Sequence, residues 1–247
     1  MSRFQFELAD RNDDQALRRI LAATPMEGRI RLRLQREPSY FEAAVVEGHS
    51  QQVVVARDTR NGQPVGFGSR SIARRFVNGR PMSVGYLSSL RLLPEFRGLS
   101  LVARGYAFFR QLHADGRAGI YVTTIAADNR QALSTIASGR SRLPAYHDWG
   151  AYYTVAVGLR RGTVRRPLCP ACEIRPGTEE DWPALRKFLR REGTRRQFFV
   201  DYLEDDFGRA GGMFRDLEPE NVLLAWRGRR VVGSLAGWDQ SAFRQTC

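Results

Sequence analysis

The chain has 247 residues, of which 43% are hydrophobic and 26% charged, a normal composition for a folded soluble protein. This composition excludes disordered and collagen-like chains, and the length suits one large domain or two modest ones. The formal net charge is +13, but all except one of the 39 basic residues are arginine. The charge therefore reflects an arginine bias more than selection for nucleic-acid binding.

The N-terminal part predicts a regular series of elements. Residues 4–9 alternate as a strand, and an acidic turn can cap the amphipathic helix that follows. A short helix is predicted at 40–46. Two tight turns, Asn61-Gly62 and Asn78-Gly79, then predict an antiparallel meander. Its strands are predicted at 52–56, 64–72, 71–77 and 82–92.

Residues 90–102 pass from a strand through a loop into a helix that runs to about His113. The free N–H groups and positive dipole end of such a helix can bind a pyrophosphate where small residues let it approach. Beyond this helix the pattern predicts a strand at 119–126, a second helix at 129–137 and a closing strand at 146–157.

The second part of the chain repeats the pattern of the first. A strand at 6–8 and a helix at 16–21 are matched by 172–174 and 184–189, and the first hairpin is matched by 222–233. The repeat predicts a domain over 1–160, a linker at 161–171, and the N-terminal half of a second domain over 172–247. The open sheet edge of this half-domain predicts cover by a longer chain, by the first domain, or by self-association with another copy.

The order of elements over residues 4–159 resembles the GNAT family of acyl-CoA-dependent N-acyltransferases. The family motif is a strand of alternating hydrophobic residues that leads into Pro-Glu-aromatic-Arg-Gly, and residues 90–98 match it. The resemblance implies an α/β (α+β) fold with a mixed, mostly antiparallel central sheet flanked by helices, followed by a partial second copy. It also implies acetyl-CoA or another acyl-CoA as co-substrate.

The resemblance also implies which residues hold the acyl-CoA. The backbone of the strand at 90–92 pairs with the pantetheine arm, amides after Gly98 hold the pyrophosphate, and Asn129 starts the family's last helix. The cofactor-binding residues implied in this way are Leu90, Leu92, Arg97, Gly98, Leu99, Ser100, Leu101, Val102, Ala103 and Asn129.

Three positions depart from the family pattern. Ser100 and Val102 stand where the loop has Gly and then Gly or Ala, and Ile136 replaces a frequent tyrosine acid. A β-branched valine crowds a phosphate. These departures support an alternative function, a catalytically degenerate CoA-binding sensor or assembly module.

Acyl transfer to an amine needs a base for the amine proton and an acid for the leaving thiolate. No acidic residue lies between Asp58 and Glu95, so the meander offers no carboxylate. We therefore select Tyr146 and His147, at the start of the predicted closing strand, as candidate catalytic acid and base. The alternative is an aromatic core strand that includes Tyr146 and Trp149.

Two further groups of residues allow two interpretations each. The arginines around the second tight turn either bind the 3′-phosphate of CoA, an acidic acceptor or nucleic acid, or they form a solvated hairpin. They are Arg70, Arg74, Arg75 and Arg80. A set of aromatics in the second part predicts the core of a helix or a ligand-stacking face. They are Phe198, Phe199, Tyr202 and Phe207.

The remaining features favour a cytoplasmic acyltransferase. Cys169 and Cys172 lack the partners of a zinc site, so we predict no metal. No apolar run reaches the roughly 18 residues of a membrane span, and no signal peptide is evident. The arginine bias is typical of a bacterial source. The predicted reaction is direct transfer of an acyl group to a small-molecule or peptide amine, without nucleic-acid or membrane partners.

Overall fold

The computed structural model describes residues 2–26, 31–98, 100–137, 143–155, 171–207 and 212–246. Five strands form the main sheet, in the order β1-β3-β4-β5-β6. They are β1 (Phe4–Leu8), β3 (Ser50–Asp58), β4 (Gln63–Val77), β5 (Arg80–Leu92) and β6 (Ile120–Val122). β5 and β6 run parallel because helix α3 (Leu101–His113) carries the chain back across the sheet, and the other pairs are antiparallel. The predicted fold class, a mixed and mostly antiparallel sheet flanked by helices, is confirmed.

The sheet separates two layers of helices. Helices α1 (Asp14–Ala23) and α2 (Tyr40–Ala44) cover one face, and α3 covers the other. On β3, Val53 and Val55 point to α1 whereas Ala56 points to α3, as the alternation of a strand requires. We call these surfaces the α1/α2 face and the α3 face.

The predicted antiparallel meander is present, but with one strand fewer than predicted. The two strands predicted at 64–72 and 71–77 are one continuous strand, β4, which pairs with β3 on one side and β5 on the other. Opposite Gly68 of this strand, β5 has two residues, Ser89 and Leu90, so the bulge lies on β5. The turn residues Asn78 and Gly79 both have positive φ, 50° and 75°, as a two-residue hairpin requires.

The predicted closing strand is wrong for the residues that the structure describes. Residues 143–155 contain no strand, and the side chains of Trp149, Tyr152 and Tyr153 are 71%, 82% and 83% exposed. Because β6 is only three residues long, it offers no strand edge for this segment to join. The aromatic alternation therefore does not form a core strand here.

The C-terminal part has the element order strand, helix, hairpin. It consists of β7 (Glu173–Pro176), α5 (Trp182–Gly193), β8 (Val222–Arg227) and β9 (Arg230–Ala236), with an antiparallel three-stranded sheet. Leu185, Leu224 and Val231 lie in a small core of its own. The other face of this sheet leaves Leu235 69% exposed. The division into domains stays a prediction, because most of the predicted linker lies outside the described residues.

The C-terminal part packs on the main sheet. The segment after α5 runs along β4, where the Phe76 amide donates to the Phe199 carbonyl at 2.8 Å. The predicted aromatic helix is wrong because Phe198 has φ of 61°, which no right-handed helix allows. A second connection is the two-stranded sheet of β2 (Leu34–Gln35) with β10 (Gln245–Thr246). The C-terminal part thus packs on the first part, but among the described residues β9 pairs only with β8, so cover of this sheet edge and self-association both stay predictions.

The four arginines near the second tight turn have two different environments. Arg70 is 1% exposed, and its guanidinium forms a bidentate ion pair with Asp115 at 2.7 and 2.9 Å. Arg74 pairs with buried Asp201, and Arg75 donates to the Phe198 carbonyl. Arg70 and Arg75 are therefore used inside the fold, whereas the Arg74 side chain is 45% exposed and Arg80 is also exposed. Within the described residues, no helix is long and apolar enough to cross a bilayer.

Asp201 should stabilise the packing of the C-terminal part on the main sheet. Its carboxylate is 1% exposed and forms ion pairs with Arg74 at 3.0 Å and with Arg190 at 2.9 Å. Because both arginines are almost half exposed, we expect Asp201→Ala to lower the free energy of unfolding by about 1–3 kcal/mol, less than for a fully buried pair. Urea denaturation measures this loss.

Glu204 provides the matched control in the same segment. Its carboxylate also pairs with an arginine, Arg186, but it is 87% exposed. Glu204→Ala should leave the urea midpoint within experimental error of the wild type. Equal changes in the urea midpoint for the two substitutions would contradict a stabilising role for Asp201.

Candidate functional site

The edge of β5 that faces β6 is paired for only three residues. Val84, Gly85 and Tyr86 pair with β6, whereas pairing with β4 continues to Leu92. Gly85 permits this parallel contact, because a Cβ there would lie 2.3 Å from the ring of Tyr121. Beyond Tyr86, no strand of the described residues pairs with β5 on the β6 side. Leu90 and Leu92 therefore lie on an open strand edge inside the sheet.

A bulge turns β5 at the start of this open edge. Ser89 has φ of 53°, and the pairing with β4 shifts register at the same place. The Thr123 hydroxyl donates to the Leu87 carbonyl at 2.8 Å, which marks the last contact between β5 and the chain after β6. The open edge thus begins near Ser88 and ends near Leu92.

Helix α3 begins beside the end of the open edge. Gly98 and Ser100 both have positive φ, 81° and 57°, and Ser100 precedes the first helical residue without a side-chain cap. The Arg104 amide donates to the Ser100 carbonyl at 3.2 Å. The amides of the first three helical residues therefore have no acceptor within the helix. These residues are Leu101, Val102 and Ala103.

The other predicted binding residues have mixed positions. Arg97 follows the turn at Pro94–Phe96 and is exposed. Leu99 lies outside the described residues. Asn129 caps helix α4 (Arg130–Ile136), with its side chain accepting from the Ala132 amide at 3.0 Å. Ile136, at the position of the family's frequent tyrosine, is 8% exposed and cannot donate a proton.

Tyr146 lies against α3, whereas His147 is exposed. The hydroxyls of Tyr146 and Tyr106 are 2.8 Å apart, and burial raises the pKa of both phenols. Tyr146 therefore stays protonated at neutral pH and can donate a proton. The structure does not bring His147 against α3 or the sheet, and its role as a base stays a prediction.

Glu47, which was not among the catalytic residues predicted from the sequence, approaches β5 from the α1/α2 face. Glu47 ends the turn Val45–Glu47, and its Oε2 accepts from the Ser88 hydroxyl at 3.5 Å. Its side chain is 13% exposed. Glu47 precedes β3 and therefore lies outside the meander strands, where a carboxylate base was expected. Its position just before a strand that pairs at the centre of the sheet is the signal that could have identified it.

No protein-family model matches the sequence, and no curated protein is similar to it. Among solved structures, the chain aligns with the ribosomal-protein-alanine N-acetyltransferase of Brucella melitensis biovar Abortus. Identity is 14% and the TM-score is 0.44, over 63% of this chain and 100% of the other. The chain also aligns with glucosamine-6-phosphate N-acetyltransferase of Arabidopsis thaliana, with 14% identity and a TM-score of 0.42 over 62% of this chain and 100% of the other.

A GNAT family acetyltransferase of Staphylococcus aureus also aligns, with 8% identity and a TM-score of 0.40 over 63% of this chain and 100% of its own. The identities and TM-scores are too low to assign a family or an activity to this chain.

Within the described residues, no group of three or more His, Cys, Asp or Glu side chains is arranged to hold a metal ion.

Val102→Asp separates anion binding from helix stability at the start of α3. An aspartate there interacts favourably with the helix dipole but repels a bound pyrophosphate. We expect an unchanged or higher Tm and an affinity for acetyl-CoA that is lower by about tenfold or more, as measured by calorimetric titration.

Gln111→Glu is the matched control, since it adds the same charge near the other end of α3 at an exposed position. This variant should bind acetyl-CoA as the wild type does. Wild-type affinity in Val102→Asp would contradict a phosphate site at the start of α3.

Proposed function

We propose that the chain is an acyl-CoA-dependent N-acyltransferase that transfers an acyl group, such as acetyl, directly to an amine. The observation that supports this most is the open edge of β5 running toward the uncapped start of α3. The open edge from Ser88 to Leu92 is at most about 16 Å long, since a strand rises about 3.3 Å per residue. An amide-bearing pantetheine arm can pair along such an edge as an added strand does, with its phosphates at the helix start.

The residues of this chain fit the acyl-CoA in three ways. Leu90 and Leu92 supply backbone groups for the arm, and the first amides of α3 supply donors for the pyrophosphate. Gly98 adds an open surface, because nothing lies within 4 Å of where its Cβ would be. When bound, acyl-CoA supplies the acyl group as an activated thioester.

The proton transfers can be assigned to two side chains on opposite faces of the sheet. N-acylation forms a C–N bond, breaks a C–S bond, removes a proton from the amine and returns one to the thiolate. Glu47, on the α1/α2 face, can take the amine proton directly or through the Ser88 hydroxyl. Tyr146, on the α3 side, can protonate the thiolate, and its bond to Tyr106 orients it.

Direct transfer is favoured over an acyl-enzyme. Ser88 is paired with a carboxylate at 3.5 Å and not with a histidine, which is the usual base for a nucleophilic serine. Among the described residues, Cys172 lies at the start of the C-terminal sheet, away from β5. The acceptor is a small-molecule or peptide amine, and the compartment is the cytoplasm.

A CoA-binding module without turnover is the second candidate. It is favoured by Ile136, which is buried where a catalytic tyrosine is frequent, and by Ser100 and Val102 at the start of α3. Such a module binds acetyl-CoA but releases no thiol with any amine. A screen of amines for thiol release from acetyl-CoA therefore distinguishes the two functions.

In that assay, Glu47→Gln should lower kcat/KM by about 100-fold or more, the usual cost of losing a general base. Tyr146→Phe should lower kcat with little change in KM, because it removes a proton donor without removing contact area. Steady-state thiol release with the best amine measures both effects.

Two conservative substitutions serve as controls. Glu42→Gln alters a 59% exposed carboxylate on α2, and Tyr152→Phe alters an 82% exposed phenol. Both should keep wild-type rates. Full activity in Glu47→Gln would exclude Glu47 as the base, and an acetyl adduct detected by intact mass in the absence of amine would exclude direct transfer.

A further inference from the structure

The α1/α2 face of the main sheet changes from apolar to polar along its strands. Val53 and Phe67 belong to the apolar part, beside α1. Farther along the same face, the register pairs Gln51 with Ser71 and Ser71 with Tyr86. Paired residues of antiparallel strands point to the same side of a sheet. Polar side chains therefore occupy a covered part of the sheet that apolar residues would normally fill.

Four buried side-chain atoms on this face have no hydrogen-bond partner among the described residues. They are Nε2 of Gln51, Oγ of Ser71, Nε of Arg75 and Nε of Arg91. All four can donate a hydrogen bond, and Ser71 is only 2% exposed. Buried donors without partners are rare in folded proteins, because each loses its bonds to water without replacement. Arg91 lies opposite Phe67, whereas Arg75 lies opposite Met82, eight positions farther along β4, so a small ligand can satisfy the Arg91 donor but cannot reach all four.

Positive charge is in excess beside the Arg91 donor. Oε1 of Glu47 lies 3.8 Å from Nη2 of Arg36 and 3.6 Å from Nη2 of Arg244. Arg91 donates to the Leu90 carbonyl and has no carboxylate partner in the described part of the chain. We call Arg36, Arg91 and Arg244 the basic cluster. Arg36 and Arg244 thus share one carboxylate, and Arg91 lies close enough for its charge to lower the pKa of Arg36.

The basic cluster is costly to bury, which argues against a purely structural role. Burial lowers the pKa of Arg36, and the nearby charge of Arg244 lowers it further. Burial also lowers the pKa of Arg91. A guanidinium nevertheless stays charged at neutral pH, so the site keeps its positive field. An anion placed there would recover part of the lost hydration.

We propose that the basic cluster binds an anionic group, a carboxylate or a phosphate monoester, on the acceptor amine. This inference rests on the proposed acyltransferase function and names the class of its acceptor. Arg91 and Ser88 belong to the same stretch of β5 whose other edge is open for the acyl-CoA arm. The amine and the anionic group of the acceptor should therefore be separated by only a few bonds.

The depth of the basic cluster selects a small anion over a nucleic acid. The Arg36 side chain is 7% exposed, whereas binding a polyanion requires a row of accessible cations. Arg244 is 28% exposed and marks the side from which a small molecule can enter. A single anionic group on a compact amine fits this arrangement.

The C-terminal part supplies one member of the cluster. Arg244 directly precedes β10, and the pairing of Gln245 with Gln35 holds it beside Arg36. The Gln245 side chain also donates to the Glu37 carbonyl at 3.2 Å. The anion site is therefore incomplete without the C-terminal part, which gives that part a role in acceptor selection.

The test is calorimetric titration of the full chain with two matched pairs of amines. The carboxylate pair is 4-aminobutanoate and 1-aminobutane, and the phosphate pair is O-phosphoethanolamine and ethanolamine. We expect at least one anionic amine to bind about tenfold or more tightly than its neutral partner. The pair that shows this preference identifies the anion.

Variants assign the preference to the cluster. Arg91→Gln and Arg244→Gln should each abolish it, whereas Arg60→Gln and Arg230→Gln, at exposed positions of the two parts of the chain, should keep it. Arg91→Leu removes a buried charge and should leave the urea midpoint unchanged or raise it, while anion preference is lost.

Three results would overturn the inference. One is equal binding of anionic and neutral amines by the wild type. The second is a lower urea midpoint in Arg91→Leu with unchanged anion preference, which would show a structural role alone. The third is full preference in Arg244→Gln. Titration with acetyl-CoA in parallel separates the two proposals: acetyl-CoA binding without anion preference overturns only this inference, and preference without acetyl-CoA binding overturns only the proposed function.

Discussion

The central constraint of the structure is that β5 pairs with β4 to its end but with β6 for only three residues. Tyr121 packs on Gly85 and receives a hydrogen bond from Arg70, which Asp115 fixes from the end of α3. This arrangement holds the two parallel strands together at one place. Beyond it, the bulge at Ser89 turns β5 away from β6. The open edge, the position of α3 and the approach of Glu47 to Ser88 all depend on this divergence.

The sequence predicted the parts of the fold whose signals are local. Asn78-Gly79 encodes a two-residue turn by its tolerance of positive φ, and the apolar spacing of Leu17, Ile20 and Leu21 encodes one face of α1. The motif at 90–98 likewise lies within one strand and one turn. The segment after Tyr146 was predicted wrongly, because alternation produces a strand only where a neighbouring edge accepts it.

The candidate site was only half predictable for the same reason. The backbone edge of β5 and the start of α3 are contiguous in sequence and were predicted together. Glu47 contacts Ser88 of β5, and its partners Arg36 and Arg244 come from separate segments of the chain. The pairing of β10 with β2 positions Arg244. No spacing rule connects these residues, so only the three-dimensional structure reveals the cluster.

Hydrogen–deuterium exchange with and without acetyl-CoA tests the central claim most directly, since it reports on the backbone groups that the proposal uses. We predict slower exchange in peptides covering 87–92 and 101–104, with no change in peptides covering β7, β8 and β9. Unchanged exchange in the first two segments at saturating acetyl-CoA, or protection confined to the C-terminal sheet, would contradict an acyl-CoA site between β5 and α3.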